Sequence, residues 1–196
     1  MRVLVACESS QEVTKALRDV GVEAYSNDIL PTEGNPAWHL QGDVFYFLRE
    51  LWGMIIAFPP CTRLCVSGSR WWKGKEEEQK AAIDFFMQFV EHPCKKKVIE
   101  NPIGIMSRVY RKPDQIIQPY MFGHTLAKST CLWLFGLPKL KPTNIVEPQY
   151  VTTKSGRIWS KWFYDTSIMP YKIRGKERSR TFHGIALAMA EQWGNL

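Results

Sequence analysis

The feature that most restricts this chain is a series of short apolar runs with helical patterns between them. Arg2 to Ala6, Glu23 to Ser26, Met54 to Phe58 and Lys97 to Glu100 each read as a strand. Strands alternating with helices predict βαβ units and a mainly parallel sheet. Ser9 or Ser10 is placed to cap a first helix with Val13, Ala16, Leu17 and Val20 on its inner face. A longer helix is expected from about Glu76 to Glu91. Its three leading glutamates suit a positive helix N-terminus, and Ala82, Phe86, Phe89 and Val90 supply its buried face. Ser129 to Phe135 reads as a late strand in an antiparallel pair, and Thr181 to Trp193 as a last helix with Ile185, Ala188, Met189 and Trp193 inward. The 196 residues show no repeat and no low-complexity linker, so one α/β domain over residues 1–196 is expected.

Charge is unevenly placed. The net charge is +7, and the segment from Lys139 to Arg180 holds ten basic residues against three acids, Glu147, Asp165 and Glu177, which accounts for the whole excess. Tyr150, Trp159, Trp162, Phe163, Tyr164 and Tyr171 are interleaved with those cations. Such a stretch suits phosphate contacts and stacking on bases. From Pro138 to Lys176 no periodicity appears, and residues 138–180 read as an irregular basic insertion. No apolar run approaches the ~20 residues of a membrane span. The opening MRVLVACESS is too short in apolar character for a signal peptide. A cytoplasmic monomer is expected. Cys7, Cys61, Cys65, Cys94 and Cys131 are odd in number and form no framework of spacings, which fits free thiols.

Ligands of open α/β sheets bind beyond the carboxyl ends of the strands. Those ends carry Cys7-Glu8-Ser9-Ser10, Asp28, Gly42-Asp43, Pro59-Pro60-Cys61 and Glu100-Asn101-Pro102. Carboxylates on the early strands suit a ribose and an adenine, with Asp28 and Asp43 as candidates; the plainer alternatives are turn and cap roles. Glu8 is likewise a candidate ligand or a helix cap. A cysteine and a glutamate on later strands suit covalent chemistry on a poor carbon nucleophile such as carbon 5 of cytosine. In that scheme Cys61 is expected to add to carbon 6 and Glu100 to protonate N3, which makes carbon 5 reactive. Arg63 is the cation expected to favour the Cys61 thiolate.

FPPCT (residues 58–62) and IENP (residues 99–102) resemble the Pro-Cys and Glu-Asn signatures of DNA (cytosine-5) methyltransferases. VLVACESSQEV resembles their first cofactor motif in the form common among small phage and prophage members. PYMFGHTLAKSTCLWLFGLP and RTFHGIALAMAEQW resemble the same group, in the same order. The resemblance implies a Rossmann-like S-adenosylmethionine-dependent fold with helices on both faces of the sheet, in a bacterium or a phage-infected host. It implies base flipping on DNA, with Cys61 and Glu100 catalytic. S-adenosylmethionine is then expected against Ala6, Cys7, Glu8, Ser9, Asp28, Ile29, Asp43, Pro59, His183 and Gly184. The target is expected against Pro60, Arg63, Ser67, Arg70, Asn101, Lys128 and Thr130, with Arg157, Lys161 and Arg174 on the backbone. Three departures stand out: Gln11 replaces a frequent glycine, the paired arginines that steady the base have no match, and the large recognition domain is missing.

Other chemistries fit less well. A zinc deaminase needs P-C-x-x-C, whereas Pro60 to Cys65 is one residue too long, and no histidine opens H-x-E, so no metal is expected. Methylation of an exocyclic amine needs no thiol. RNA in place of DNA, and a non-catalytic nucleic-acid-binding relic, remain alternatives. The loop of Ser67 to Lys75 is expected to close over a flipped base, with Ser67, Ser69 or Arg70 near the vacated position; the plainer role for Trp71 and Trp72 is to anchor it. A segment as short as 138–180 implies a short recognition sequence, since each bidentate contact discriminates by only ~1–3 kcal/mol.

Overall fold

The computed structural model describes residues 1–196 apart from the side chains of Tyr171 and Lys172, whose expected part in the basic segment lies outside the described residues. The chain begins with β1 (Arg2–Ala6), α1 (Glu12–Asp19), β2 (Glu23–Asp28), β3 (His39–Gln41), α2 (Val44–Phe47) and β4 (Met54–Ala57). It continues with α3 (Glu76–Glu91), β5 (Lys97–Pro102), α4 (Met106–Val109), β6 (Gln115–Ile117) and β7 (Thr130–Phe135). Beyond the sheet come β8 (Tyr150–Thr152), β9 (Ile158–Ser160), α5 (Lys161–Ser167), α6 (Tyr171–Ser179) and α7 (His183–Trp193).

Seven strands form one mixed, mostly parallel sheet in the order β3-β2-β1-β4-β5-β7-β6, compatible with a Rossmann-like fold. Strand β7 runs antiparallel to both of its neighbours, as the sequence implied for this segment. Central strands such as Val3–Ala6 and Met54–Ala57 are buried on both faces, which is why they read as unbroken apolar runs rather than alternating ones. One face packs Val3, Val5, Ile56 and Leu132 against α1 and α7. The other packs Leu4, Ile55, Ile99 and Trp133 against α2 and α3. Helices therefore cover both faces. Among the described residues no helix is long and apolar enough to cross a membrane, and all five cysteines are free thiols.

Helix α3 occupies the expected residues. Three other expectations change. Helix α1 is not capped by Ser9 or Ser10: Gln11 takes the N-cap in the left-handed region, φ 59°, and Glu8 supplies the acceptors. Helix α7 starts at His183 rather than Thr181, because the preceding residues stay extended along a cavity wall. Residues 138–180 are irregular only as far as Gln149; from Tyr150 they fold into a β8–β9 hairpin followed by α5 and α6. Short elements with three or four residues (β3, α2, β6) carry too little pattern to read from sequence.

The start of α7 is seated on the 122–124 turn by Gly184. Its N–H donates to His124 Nε2 at 2.9 Å, and a Cβ there would overlap the Phe122 carbonyl oxygen. Intrinsic helix propensity favours alanine over glycine by about 1 kcal/mol. The overlap reverses that sign. Gly184→Ala is expected to destabilise the fold by about 2 kcal/mol, lowering Tm by about 4–8 °C in thermal melts; an unchanged or raised Tm would show that the turn yields freely.

Candidate active site

Strand register brings the chemistry together. Ala6 pairs with Asn27 on one side and Ala57 on the other, and Ala57 pairs with Ile99, so β1, β2, β4 and β5 end on one rim. The chain reverses direction across the sheet at β1 and β4, the topological switch point where open α/β sheets leave a crevice. Phe58 N donates to Ala6 O and Glu8 N to Asn27 O, continuing the ladder past the strand ends. A cavity of about 110 Å³ opens there, lined by Cys7, Phe58 to Cys61, Glu100, Pro102, Lys128, Thr130, Arg178 to Phe182, Ile185 and Met189.

Cys61 and Glu100 share this cavity. Burial pushes the Cys61 thiol up to about 11, with the Glu100 and Cys65 charges adding to the rise and Lys128 opposing it. Burial also raises Glu100, against the Lys128 ammonium and the Thr130 hydroxyl. At neutral pH the resting thiol is protonated, and Glu100 is biased towards the acid form. A neutral buried carboxyl beside a ring nitrogen is a proton donor. Lys128, rather than Arg63, is the cation that acts on Cys61. Its Nζ donates to Arg178 O at 2.8 Å and sits 5.5 Å and 5.7 Å from the Trp162 and Phe182 ring centres.

Several expected target contacts have other duties. Arg63 is bound by Glu78 at the start of α3, Nε to Oε2 at 2.8 Å, and does not reach the thiol. Asn101 is 1 % exposed and its Nδ2 donates to Pro59 O at 2.8 Å, so it positions the Cys61 loop instead of touching a base. Ser67 Oγ lies 3.1 Å from Cys65 Sγ, and Arg70 stacks over Trp71. Pro60 and Thr130 line the cavity. The two tryptophans divide the roles proposed for them: Trp72 packs into the core while Trp71 is 65 % exposed.

The expected cofactor residues divide in the same way. Ala6 is wholly buried and faces the rim only through its backbone. Glu8 points inward: its carboxylate accepts from Val13 N at 2.7 Å, Thr14 N at 3.2 Å and Thr14 Oγ1 at 2.7 Å, making it a cap of α1 and not a ligand. Ser9 uses its carbonyl to hold Thr32 and Glu33. Asp28 closes a turn through Oδ1 to Leu30 N, and Asp43 caps α2 through Oδ1 to Phe45 N. Each is committed through one oxygen. Both carboxylates still act on Cys7, whose thiol burial pushes up to about 12 with Asp28 and Asp43 contributing. Next to Asp28, Ile29 is 74 % exposed. Pro59 lines the cavity. His183 and Gly184 do not: His183 faces Glu12 at 3.9 Å, and Gly184 is a packing residue. In their place Ser179 to Phe182 form the wall.

Of the expected backbone contacts, Lys161 is paired with Asp165 at 2.6 Å and Arg174 donates to Ser167 O at 3.2 Å. Arg157 lies exposed at the hairpin turn. Lys176 and Arg180, counted in the basic segment, bind Glu33, and Arg180 also binds Glu12 at 2.8 Å. Arg178 and Phe182 are cavity residues that composition alone did not single out; the adjacency of R-x-R-x-F to the last helix was the available signal. In comparisons with known proteins, no family model and no curated protein matched the chain.

Two measurements follow from these environments. Burial, opposed by three hydrogen bonds, lifts Glu8 from 4.5 to about 7. Folding therefore takes up a proton between those values; the stabilisation is complete below pH 4.5 and is lost as pH rises through about 7. Urea unfolding is expected to show wild type losing up to about 3 kcal/mol relative to Glu8→Gln between these limits. Parallel pH curves would show that folding leaves the Glu8 pKa unshifted. For the thiol, iodoacetamide labelling of Cys61 is expected to rise steadily from pH 7 towards 11, and to slow in Lys128→Ala because the opposing cation is gone. Equal rates in the two proteins would remove Lys128 from the thiol's surroundings.

Proposed function

We propose that this chain is an S-adenosylmethionine-dependent methyltransferase acting on carbon 5 of cytosine in DNA. The observation that carries the reading is the joint occupation of one switch-point cavity by Cys61 from the end of β4 and Glu100 from the end of β5. The order of the motifs, first cofactor motif, PPC and then ENP, supports it independently.

The residues at the switch point fit the cofactor. Asp28 and Asp43 each retain one carboxylate oxygen outside their Oδ1 turn and cap bonds, suited to ribose hydroxyls and adenine edges. Ile29 offers an exposed apolar surface beside them for a flat ring. Cys7 takes a left-handed φ of 60°, bringing backbone to the crevice without a glycine. When bound, S-adenosylmethionine supplies an electrophilic methyl group. Cys61 Sγ, once ionised, adds to carbon 6 of a flipped cytosine, and Glu100 gives its proton to N3, placing electron density on carbon 5. After the carbon 5 proton passes to water, Cys61 leaves carbon 6 as the thiolate and the N3 proton returns to Glu100. Lys128 stabilises negative charge on both partners, and Pro60 and Thr130 bound the ring.

A non-catalytic nucleic-acid-binding descendant of the fold is the second reading, and the resting Cys61 thiol at about 11 favours it. Duplex DNA containing 5-fluorocytosine separates the two, because fluorine cannot leave as a proton does. With cofactor present, wild type is expected to form a denaturation-resistant adduct that peptide mass spectrometry maps to Cys61. Cys61→Ser should form none and lose turnover by at least ~10³-fold while retaining its melting temperature. An adduct on Cys65, or full activity in the serine variant, would defeat the assignment.

A further inference from the structure

The β8–β9 hairpin springs from the rim of the cavity. Gln149 N donates to Thr125 O at 2.9 Å, Lys161 N to Gln149 O at 2.9 Å, and Ala127 N to Ser160 Oγ at 3.4 Å. The residue after Ala127 is Lys128, which lines the cavity. The base of the ribbon and the edge of the cavity are thus neighbours in the chain and in space.

Its two faces differ. Val151 pairs with Trp159 on one side, and Trp159 turns in against Phe163 and Tyr164, with ring centres 5.2 Å and 6.5 Å away. On the other side stand Tyr150, Thr152 and Ile158, of which Tyr150 is 55 % and Ile158 71 % exposed. At the tip, Lys154 and Arg157 flank a Ser155-Gly156 turn, and neither side chain has a carboxylate partner among the described residues. No acid occurs from Pro148 to Ser160. The nearest acid after it, Asp165, is taken by Lys161.

We infer that this hairpin reads duplex DNA, its Tyr150–Thr152–Ile158 face entering the major groove while Lys154 and Arg157 hold phosphates. The inference rests on the reading of the Cys61 site as one that works on DNA. A two-stranded ribbon fits the ~12 Å width of the B-form major groove. The major groove of A-form RNA is too narrow for it. A single strand would call for open aromatic platforms, and the hairpin's tryptophan is turned inward. Aliphatic and threonine methyl groups match the thymine methyl, and the Tyr150 and Thr152 hydroxyls match base-edge acceptors and donors. Two tip cations give affinity without sequence preference.

The test measures binding of the intact chain to fluorescent duplexes of mixed sequence over a salt series. Lys154→Ala/Arg157→Ala is expected to weaken binding about tenfold at low salt and to flatten the log–log salt slope by about two. Thr152→Ala/Ile158→Ala should keep the slope and alter the sequences recovered by selection. Duplexes whose major groove is filled by glucosylated 5-hydroxymethylcytosine should not bind. Melting temperatures check that each variant is folded, and Lys154→Glu/Arg157→Glu provides a second, stronger pair. Unchanged affinity and slope in the tip variants, full binding to the glucosylated duplex, or preference for single strands or RNA would each overturn the inference. Failure of the Cys61 adduct with these results intact would remove methyl transfer and leave the hairpin; an adduct with these results absent would remove the hairpin alone.

Discussion

Two consecutive prolines end the strand that carries Cys61, and this sets a problem that the rest of the site depends on. Pro59 and Pro60 have no N–H, so the segment cannot be held by donating to its neighbours. It has only carbonyls to offer. The buried amide of Asn101 meets one of them, donating to Pro59 O at 2.8 Å and also to Glu100 O at 3.1 Å. One side chain thus fastens the loop bearing the thiol to the strand bearing the carboxyl. Loss of that donor would free a loop whose next ties, Leu64 N and Cys65 N to Cys61 O, are internal to itself. A further bond, Val66 N to Ile103 O, extends the same attachment beyond β5.

Electrostatics then depend on how deeply that fastened pair is set. Glu100 is enclosed by β7 through the antiparallel pairing of Pro102 with Thr130, which carries Thr130 and Lys128 to the cavity edge. Burial favours the neutral form of both Cys61 and Glu100, and Lys128 is the counterweight. The lysine is itself held in place by the Arg178 carbonyl and two aromatic faces. Arg178 in turn donates to Thr166 Oγ1 and Phe163 O and lies 4.4 Å from the Phe163 ring centre. The helices that follow the hairpin therefore brace the cavity that holds Cys61 and Glu100.

Much of this was legible in the sequence, for reasons that differ by element. Strands β1 and β4 and helix α3 declare themselves through apolar runs and helical spacing, so the parallel sheet and the shared rim of Cys61 and Glu100 followed. What failed were assignments in which a side chain's direction decides its role. Glu8 stands one residue past β1 in a position equally suited to a ligand or a cap, and only the left-handed turns at Cys7 and Gln11 send it inward to α1. Gln11 occupies a glycine-like φ and uses its amide to hold Asn35, with Nε2 to Asn35 O at 2.9 Å and Asn35 N to Oε1 at 2.7 Å. Arg63 looked like the thiol's cation by proximity in sequence, but Glu78, fifteen residues on, is nearer in space. Gly184 was placed in the cofactor site by resemblance, whereas its missing Cβ answers a packing need.

Net charge misled in a more general way. A count along the chain does not distinguish a cation facing solvent from one already neutralised, and the segment from Lys139 to Arg180 contains both. Lys161, Lys176 and Arg180 are matched by carboxylates, and Arg178 is spent on a hydroxyl and a carbonyl. Lys139 and Lys141 are exposed, but they flank Leu140, which is tied to Gln115 at the start of β6, and Lys141 is bound through its backbone by Gln192. That places them at the end of the sheet away from the cavity. Among the described residues, Lys154 and Arg157 are an exposed pair on an element attached to the rim. Among the described residues the positive excess thus includes latches, which hold α6 and the cavity wall against α1, and an exposed pair at one hairpin. Nucleic-acid affinity drawn from a pair of cations would be modest and strongly screened by salt. If the cavity works on DNA as proposed, a target base has to be held mainly by the cavity itself, where Cys61, Glu100 and Lys128 meet.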